Sequence, residues 1–509
     1  NRNYQYELAL PTLQSRRLSL APGATGEITF FAAFQADHPA ATSDADVGRA
    51  RAAGAACRSL RRPAIVRTAH PRAPGLFDAP VLFESRDLGP ADLERFFGSE
   101  WRHVERRDGT LLSFFHGRQQ HVVLRAKELV QERPTGHIMR SGRDLLPSDD
   151  TLAVTAWMFG VFGSQLTIGN TSFNKLLGVC RNPLNVLKAS GQRIFVRTDR
   201  GYELLGLPSA FEMGPNSARW IYHGDRRTVV IRVSTSLDAP ACRLDVDVER
   251  GGPLELLVSH DVVLGTNEHD TAGRVVLDVA NARIELRPAP ETLMGRHYPE
   301  TAFFIVSPDA DQVEALGGDG LLREDGADRG GSHVVVKTKP VTRFSLVLTG
   351  SVLDARRAEE RATAYGRGSD LRGPDRAAEQ ERAAEQERAA GQERAADAFW
   401  AELGRGATLG GATGRCADDL ARLNDVLRWH LHDAMIHCTT PHGLEQYSGA
   451  AWAVRDVCQG PVELFVATGH PGPLRDVLRI VYEHQDRETG DWPQWFMFDR
   501  FREVRAADS

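Results

Sequence analysis

Residues 228–234 read Thr228-Val229-Val230-Ile231-Arg232-Val233-Ser234, and residues 243–249 read Arg243-Leu244-Asp245-Val246-Asp247-Val248-Glu249. In the second run Leu244, Val246 and Val248 alternate with charged residues, which puts the apolar set on one face of a strand and the charged set on the other. Leu254 to His260, Arg283 to Pro288, Thr301 to Ser307 and His333 to Thr349 repeat the pattern, separated by Gly, Pro and Asp. Short alternating runs with frequent turns mean antiparallel strands. Working outward, Glu27 to Phe34 and Leu204 to Leu207 read as further strands, and Ala45 to Ala56 and Gly89 to Phe97 as helices. The expectation is one large antiparallel β-sandwich with insertions over residues 1–350.

Beyond residue 350 the character changes. Residues 376–393 repeat a six-residue unit, Arg-Ala-Ala-Glu-Gln-Glu twice and then Arg-Ala-Ala-Gly-Gln-Glu. Strong helix formers with opposite charges three apart, Glu379 with Arg382 and Glu385 with Arg388, favour a solvated helix. A period of six keeps no single apolar face, so residues 351–400 read as a charged helical linker and not as a coiled-coil seam. After Phe399-Trp400, Leu420, Leu423, Leu427 and Leu431 line one face of a helix running to about His437. Two more helices follow, Pro461 to Thr468 closed by Gly469, and Pro473 to His484 with Leu474, Val477, Leu478 and Val481 inward. Residues 401–509 thus read as a series of αα-hairpins whose polar and aromatic loops hold the chemistry.

The chain has 509 residues, more than one compact core holds, and a prior of about 150 residues per domain gives three or four. With 62 Lys and Arg against 68 Asp and Glu, nothing marks an electrostatic footprint for nucleic acid or an anionic membrane, so the expected partner is neutral. Six cysteines without a CxxC pair fit a reducing cytoplasm. No run of 18 or more apolar residues occurs, and the start lacks a basic-then-apolar signal pattern. Residue 1 is Asn, and Ser509 follows closely on a dense aromatic stretch; the expectation is a piece of something longer. The sequon Asn170-Thr171-Ser172 has meaning only in a secreted eukaryotic protein.

Two clusters carry candidate chemistry. Residues 445–461 contain Trp452, Arg455, Asp456 and Gln459, a flat apolar ring beside charged and amide groups. Sugars are bound by that mixture, with C–H faces on aromatic rings and vicinal hydroxyls on Asp, Arg and Gln. A buried Arg–Asp pair joining two helices, with Trp452 in the core, is the other reading, and both stay open. Residues 491–501 hold five aromatics, among them Trp492 beside Gln494, which suits the wall of a ligand cleft and equally suits core packing. His430, His432, His437, Cys438 and His442 invite a metal, but no His pair has i, i+4 spacing, and core and loop histidines are expected instead. There is no Gly-x-Ser-x-Gly elbow, and the Gly406 to Gly414 stretch lacks the Lys of a P-loop.

Several stretches resemble glycoside hydrolase family 94, the inverting disaccharide and oligosaccharide phosphorylases. They are Ser172 to Leu177, Arg181 to Arg193 (Arg-Asn-Pro-Leu-Asn-Val-Leu-Lys-Ala-Ser-Gly-Gln-Arg), Pro208 to Pro215 (Pro-Ser-Ala-Phe-Glu-Met-Gly-Pro), Trp452 to Pro461 and Asp491 to Phe496. Within the family the resemblance is greatest to 1,2-β-oligoglucan phosphorylases and the related part of cyclic β-1,2-glucan synthases. It implies an N-terminal β-sandwich, a helical linker and an (α/α) six-hairpin toroid, of which residues 401–509 hold the first part, about two hairpins.

The resemblance implies that Arg455 and Asp456 bind the non-reducing-end glucose, with Trp452, Gln459, Trp492 and Gln494 beside them. It implies phosphorolysis of β-1,2-linked gluco-oligosaccharides to α-glucose 1-phosphate, with inorganic phosphate as co-substrate, no organic cofactor and no metal. The family's general acid lies in an Asp-Trp motif well beyond the Arg-Asp motif. Asp491-Trp492 follows Asp456 by only 35 residues, too soon, so the acid and the phosphate-binding groups are expected past Ser509 and the chain alone is expected to be inactive. The expected partners are a β-glucan oligosaccharide, phosphate and a second copy in a homodimer, without nucleic acid or membrane contact. A non-catalytic carbohydrate-binding or assembly module, and a segment of a membrane-bound cyclic β-1,2-glucan synthase, are the alternatives. An incomplete toroid would also expose apolar helix faces and make the chain poorly soluble.

Overall fold

A computed structural model describes residues 18–26, 28, 30–32, 34, 37–38, 43–59, 74–145, 148–169, 174–180, 189–265, 273–366, 391–404, 408–411, 413–439, 452–496 and 500. The chain divides into two compact units, Asn1–Arg72 and Ala73–Ser509. In the first, the expected helix is α1 (Ala45–Ser59), and the Phe31 ring lies so close that a Cβ on Gly54 would come within 2.8 Å of it. The alternation at Glu27 to Phe34 yields no strand among its described residues, and Phe34 is 94% exposed. Among the described residues of this unit there is no other strand, so the run has no ladder to join there.

The second unit is built on two sheets. The nine-stranded sheet runs β18 (Val313–Gly317), β19 (His333–Thr338), β14 (Leu256–Asp261), β8 (Gln192–Thr198), β7 (Val161–Ile168), β6 (Leu152–Trp157) and β5 (Gly136–Arg140). Off this path, β9 (Gly201–Leu204) pairs with β8, and β1 (Val81–Leu82) with β9. The eleven-stranded sheet runs β15 (Gly273–Asp278), β16 (Arg283–Pro288), β17 (Ala302–Val306), β20 (Arg343–Ser351), β13 (Ala241–Arg250), β12 (Thr228–Thr235), β11 (Ser217–His223), β10 (Ala210–Gly214), β4 (Gln120–Leu124), β3 (Thr110–His116) and β2 (Arg102–Arg107).

Their facing sides form one core. Leu244, Val246 and Val248 of β13 and Val229, Ile231 and Val233 of β12 point into it with Trp220 and Tyr222 of β11. From the other sheet come Phe162, Leu166, Ile194, Val196, Leu256, Val258, Val334 and Val336. The run His333 to Thr349 divides into β19 and β20 around Pro340, which has no N–H for a ladder. The Leu204 to Leu207 run ends its strand at Leu204, ahead of Gly206 and Pro208.

The outer face of the eleven-stranded sheet is partly covered. The amphipathic helix α2 (Pro90–Phe97), with Pro at its first turn, buries Leu93 and Phe97 against Phe114, Val122, Ile221 and Val230. Short helices α3 (Arg125–Glu128) and α4 (Leu293–His297) lie in connections. Helix α5 (Ala355–Gly366) packs Ala358 and Ala362, four residues apart and so on one face, on Ala302, Phe304 and Val306.

Residues 367–390, with most of the six-residue repeat, lie outside the described residues. Helix α6 (391–403), α7 (Arg415–Thr439), α8 (Val454–Ala467) and α9 (Pro471–Glu483) follow. Short connection 468–470, with Gly469 at φ 72°, makes α8 and α9 an αα-hairpin. A second core joins Trp400 and Leu403 of α6, Met435 and Ile436 of α7, Phe465 of α8, and Val477 and Val481 of α9. On α7, Leu431 is buried but Leu423 is 52% exposed. The helix docks by its C-terminal half, so the buried set is Leu431, His432, Met435 and Ile436, not the full leucine row. The order is therefore a large antiparallel β-sandwich and then helices. Among the described residues no helix is long and apolar enough to cross a membrane.

Candidate functional site

The two clusters read from the sequence meet in a short antiparallel ribbon. Strand β21 (Trp452–Ala453) pairs with β22 (Trp495–Phe496), Trp452 opposite Phe496 and Ala453 opposite Trp495. The next N–H along, that of Val454, donates to the Gln494 carbonyl at 3.1 Å. Helix α8 begins at Val454 and not at Pro461 as expected, and it runs through Gly460-Pro461. Arg455, Asp456 and Gln459 thus stand on its first two turns, with Arg455 and Gln459 four residues apart on one face. For Trp452, Arg455, Asp456 and Gln459 the description extends to the backbone alone.

On the β22 side the surroundings are aromatic. His484, just past α9, stacks on Phe496 with centroids 3.7 Å apart, and Tyr482 meets Trp492 edge-on at 5.5 Å. Trp492 is half-buried, its buried indole N–H has no partner among the described residues, and the Gln494 side chain is exposed. A half-buried ring beside an exposed amide can take a hydroxyl-rich ligand. Asp491 is exposed in the turn after α9: the Asp486 N–H donates to its carbonyl at 2.8 Å, and its own N–H donates to Thr489 Oγ1 at 3.2 Å.

The stretch Pro208 to Pro215 forms β10 and runs into the tight β10–β11 turn, where the helices are fastened to the sandwich. His137 Nε2 of β5 donates to the Gly214 carbonyl and His432 Nε2 of α7 to the Pro215 carbonyl, each at 2.7 Å. Trp400 Nε1 of α6 donates to Asn216 Oδ1 at 2.6 Å, and Asn216 Nδ2 donates to the Arg140 carbonyl at 2.9 Å. Glu393, the last residue of the six-residue repeat, accepts from Ser217 Oγ at 3.3 Å. His432 is thus a buried interface histidine. The side chains of His437 and Cys438, and all of His442, lie outside the described residues.

One strand away from the turn, Glu212 of β10 faces Arg219 of β11 across the ladder, with Nε and Oε2 2.5 Å apart. His116 Nε2 donates to its other oxygen at 2.6 Å. Burial alone would raise the Glu212 carboxyl, but Arg219, then His116 and Arg232, overcome it and hold it at about 2. None of His137, Asn216, Trp400 or Glu393 stands out in the sequence, because each acts through partners far along the chain.

The chain can now be set beside known proteins. A family described as the glycoside phosphorylase supersandwich domain matches residues 99–350. Residues 99–350 are similar to a glycoside phosphorylase supersandwich. That span takes in the eleven-stranded sheet except Ser351, the last residue of β20, and all of the nine-stranded sheet except β1. The chain is also similar to a 1,2-beta-oligoglucan phosphorylase of Listeria innocua serovar 6a, 32% identical over 405 residues. The match covers 80% of this chain, which spans about a third of the relative's length (34%). Among solved structures, a bacterial glucoamylase complexed with acarbose gives a TM-score of 0.45 at 10% identity, over 70% of this chain and 51% of that one. A GH92-family glycosyl hydrolase gives 0.31 at 14% identity, over 64% and 44%.

Proposed function

We propose that the protein carrying this chain phosphorolyses β-1,2-linked gluco-oligosaccharides with inversion and releases α-glucose 1-phosphate. The observation that carries this reading is the β21–β22 ribbon, which sets the Arg455–Asp456 turn of α8 beside Trp492 and Gln494 in a chain related to a 1,2-beta-oligoglucan phosphorylase. Asp456 and Arg455 would hold the hydroxyls of the non-reducing-end glucose, with Trp452 and Trp492 under its C–H faces and Gln459 and Gln494 at its edges.

Inverting hydrolysis needs one carboxylic acid for the leaving oxygen and one carboxylate to activate water. Phosphate is already an anionic nucleophile, so a general acid and a basic phosphate pocket suffice, and the scheme uses no organic cofactor or metal. General acid catalysis contributes roughly 10²- to 10⁴-fold. Asp491 is not that acid in this reading, since it belongs to the turn directly after α9. A two-copy assembly and a cytoplasmic setting complete the proposal; Cys57, Cys242, Cys416 and Cys458 are in no disulfide.

The test is to incubate the gene product that contains this chain with β-1,2-gluco-oligosaccharides and phosphate and to assay glucose 1-phosphate. Product from β-1,2 chains and not from β-1,3 or β-1,4 chains is expected. Absence of product from every β-glucan would overturn the reading, and calorimetric binding without turnover would favour a carbohydrate-binding module.

A further inference from the structure

Where the β10–β11 turn meets α6 and α7 there is a partly enclosed cavity of about 260 Å³. Its walls include the rings of Trp400, Trp429 and His432, with Gln119, Arg428 and Thr408 among the polar groups. The Trp400 and His432 rings lie 4.5 Å apart, and Trp429 meets His432 edge-on at 5.7 Å. His432 and Trp400 are fixed in place by their bonds to Pro215 and Asn216. Two groups have no partner among the described residues: the buried Trp429 indole N–H and the exposed Arg428 guanidinium.

We propose that this cavity is a second carbohydrate site, holding a single pyranose unit between the Trp400–Trp429–His432 walls and the Arg428 guanidinium. Ring faces take the C–H surface of a sugar, while a guanidinium addresses neighbouring hydroxyls with fixed, paired donors. The volume fits one unit: it is several times the roughly 30 Å³ of a water molecule and below the roughly 300–1,000 Å³ of sites that enclose larger ligands. Among the described lining residues a nucleotide or other polyanion would find one cation, Arg428, and three aromatic walls, a poor match. The residues lining the cavity include none of the β21–β22 ribbon. The inference stands on this lining alone and goes beyond the phosphorylase reading.

The experiment titrates the full 509-residue chain with D-glucose, and separately with inorganic phosphate, by calorimetry and tryptophan fluorescence. Arg428→Ala, Thr408→Trp and Asp456→Ala are compared, with circular dichroism and melting as checks of folding. Saturable glucose binding is expected in the parent chain and in Asp456→Ala, weakened about tenfold or more by Arg428→Ala, as for a lost hydrogen bond to a charged group, and abolished by Thr408→Trp. Arg428 is exposed, so its variant keeps the test usable if Thr408→Trp fails to fold. Three results overturn the proposal: no saturable glucose binding, binding of phosphate but not glucose, or glucose binding that Asp456→Ala removes and Arg428→Ala leaves intact. The last would place the sugar at the ribbon and leave the phosphorylase reading standing.

Discussion

His137 of the supersandwich and His432 of α7 lie ring over ring, 5.8 Å between centroids and 17° between planes, and donate to adjacent carbonyls of one turn. Two chain segments nearly 300 residues apart are thereby fastened to Gly214 and Pro215, which makes this turn the joint between sheet and helices.

That joint is sensitive to acid. Burial, then the neighbouring His432, pushes the His137 pKa down to about 3, and burial lowers His260 and His121 to about 4. In the unfolded chain these residues titrate near 6.5. Above that pH both states are neutral and stability does not respond to them. Between 6.5 and about 3 for His137, and between 6.5 and about 4 for His260 and His121, the unfolded chain binds the proton and the folded one does not, so within its window each such histidine lowers stability by about 1.4 kcal/mol per pH unit. Urea melts from pH 8 to 4 are expected to show a plateau and then a fall. His137→Gln, which keeps an N–H for Gly214, should flatten that fall, and an unchanged slope would show that His137 is not among its sources.

The Trp400–Asn216 bond joins α6 to the same turn. Replacing Trp400 by Phe leaves the Asn216 Oδ1 acceptor buried without its donor, a loss of about 1–3 kcal/mol beyond any packing change. Asn216→Ala alone costs more, because Asn216 also donates to Arg140 and Thr235. A double-mutant cycle read by urea unfolding should return a coupling of roughly 0.5–3 kcal/mol, and additivity would contradict the contact.

Much of the supersandwich is legible from residues alone, because one face of each strand is buried. Leu244, Val246 and Val248 point inward while Asp245 and Asp247 do not, so the period of two survives in the sequence. Glu27 to Phe34 alternates equally well, yet its described residues form no strand, since periodicity reports a face to be buried and not a partner to bury it. The ribbon is different. Trp452 and Phe496 are 44 positions apart, and nothing in either segment encodes their pairing. Pro461 misleads for a local reason: Pro favours a helix's first turn, yet α8 carries it inside. His432 shows the same limit from the other side, its type visible in the sequence and its carbonyl partner not.

Glu212 supplies a prediction of opposite chemistry and the same direction in pH. Its carboxyl titrates near 4.5 when unfolded and at about 2 when folded, so it contributes roughly 3 kcal/mol that is fully present above pH 4.5 and lost as the pH falls toward 2. Glu212→Gln keeps the shape but leaves Arg219 and His116 facing a neutral group in a buried site. The variant should melt earlier at pH 7, lose about 3–5 kcal/mol as for breaking a buried pair, and show a shallower fall between pH 4.5 and 3 than the parent. Equal melting at pH 7 would mean that solvent screens the pair.

Val454 offers a way to separate the ribbon from the helix that carries the sugar-binding candidates. Its N–H is the first beyond β21 and bonds to the Gln494 carbonyl at 3.1 Å, while its residue is the first of α8. Proline at a helix's first position costs little, because that N–H has no partner within the helix, and it holds the preceding residue extended, as Ala453 already is in β21. Val454→Pro therefore deletes one ribbon hydrogen bond, worth about 0.5–1.5 kcal/mol, and leaves α8 intact. Circular dichroism should be unchanged and melting only slightly lowered. If Arg455 and Asp456 need the ribbon to stand beside Trp492 and Gln494, calorimetry with a β-1,2-gluco-oligosaccharide should show affinity falling about tenfold, more than the stability loss accounts for. Retained affinity would mean that the first turn of α8 positions these residues without β22.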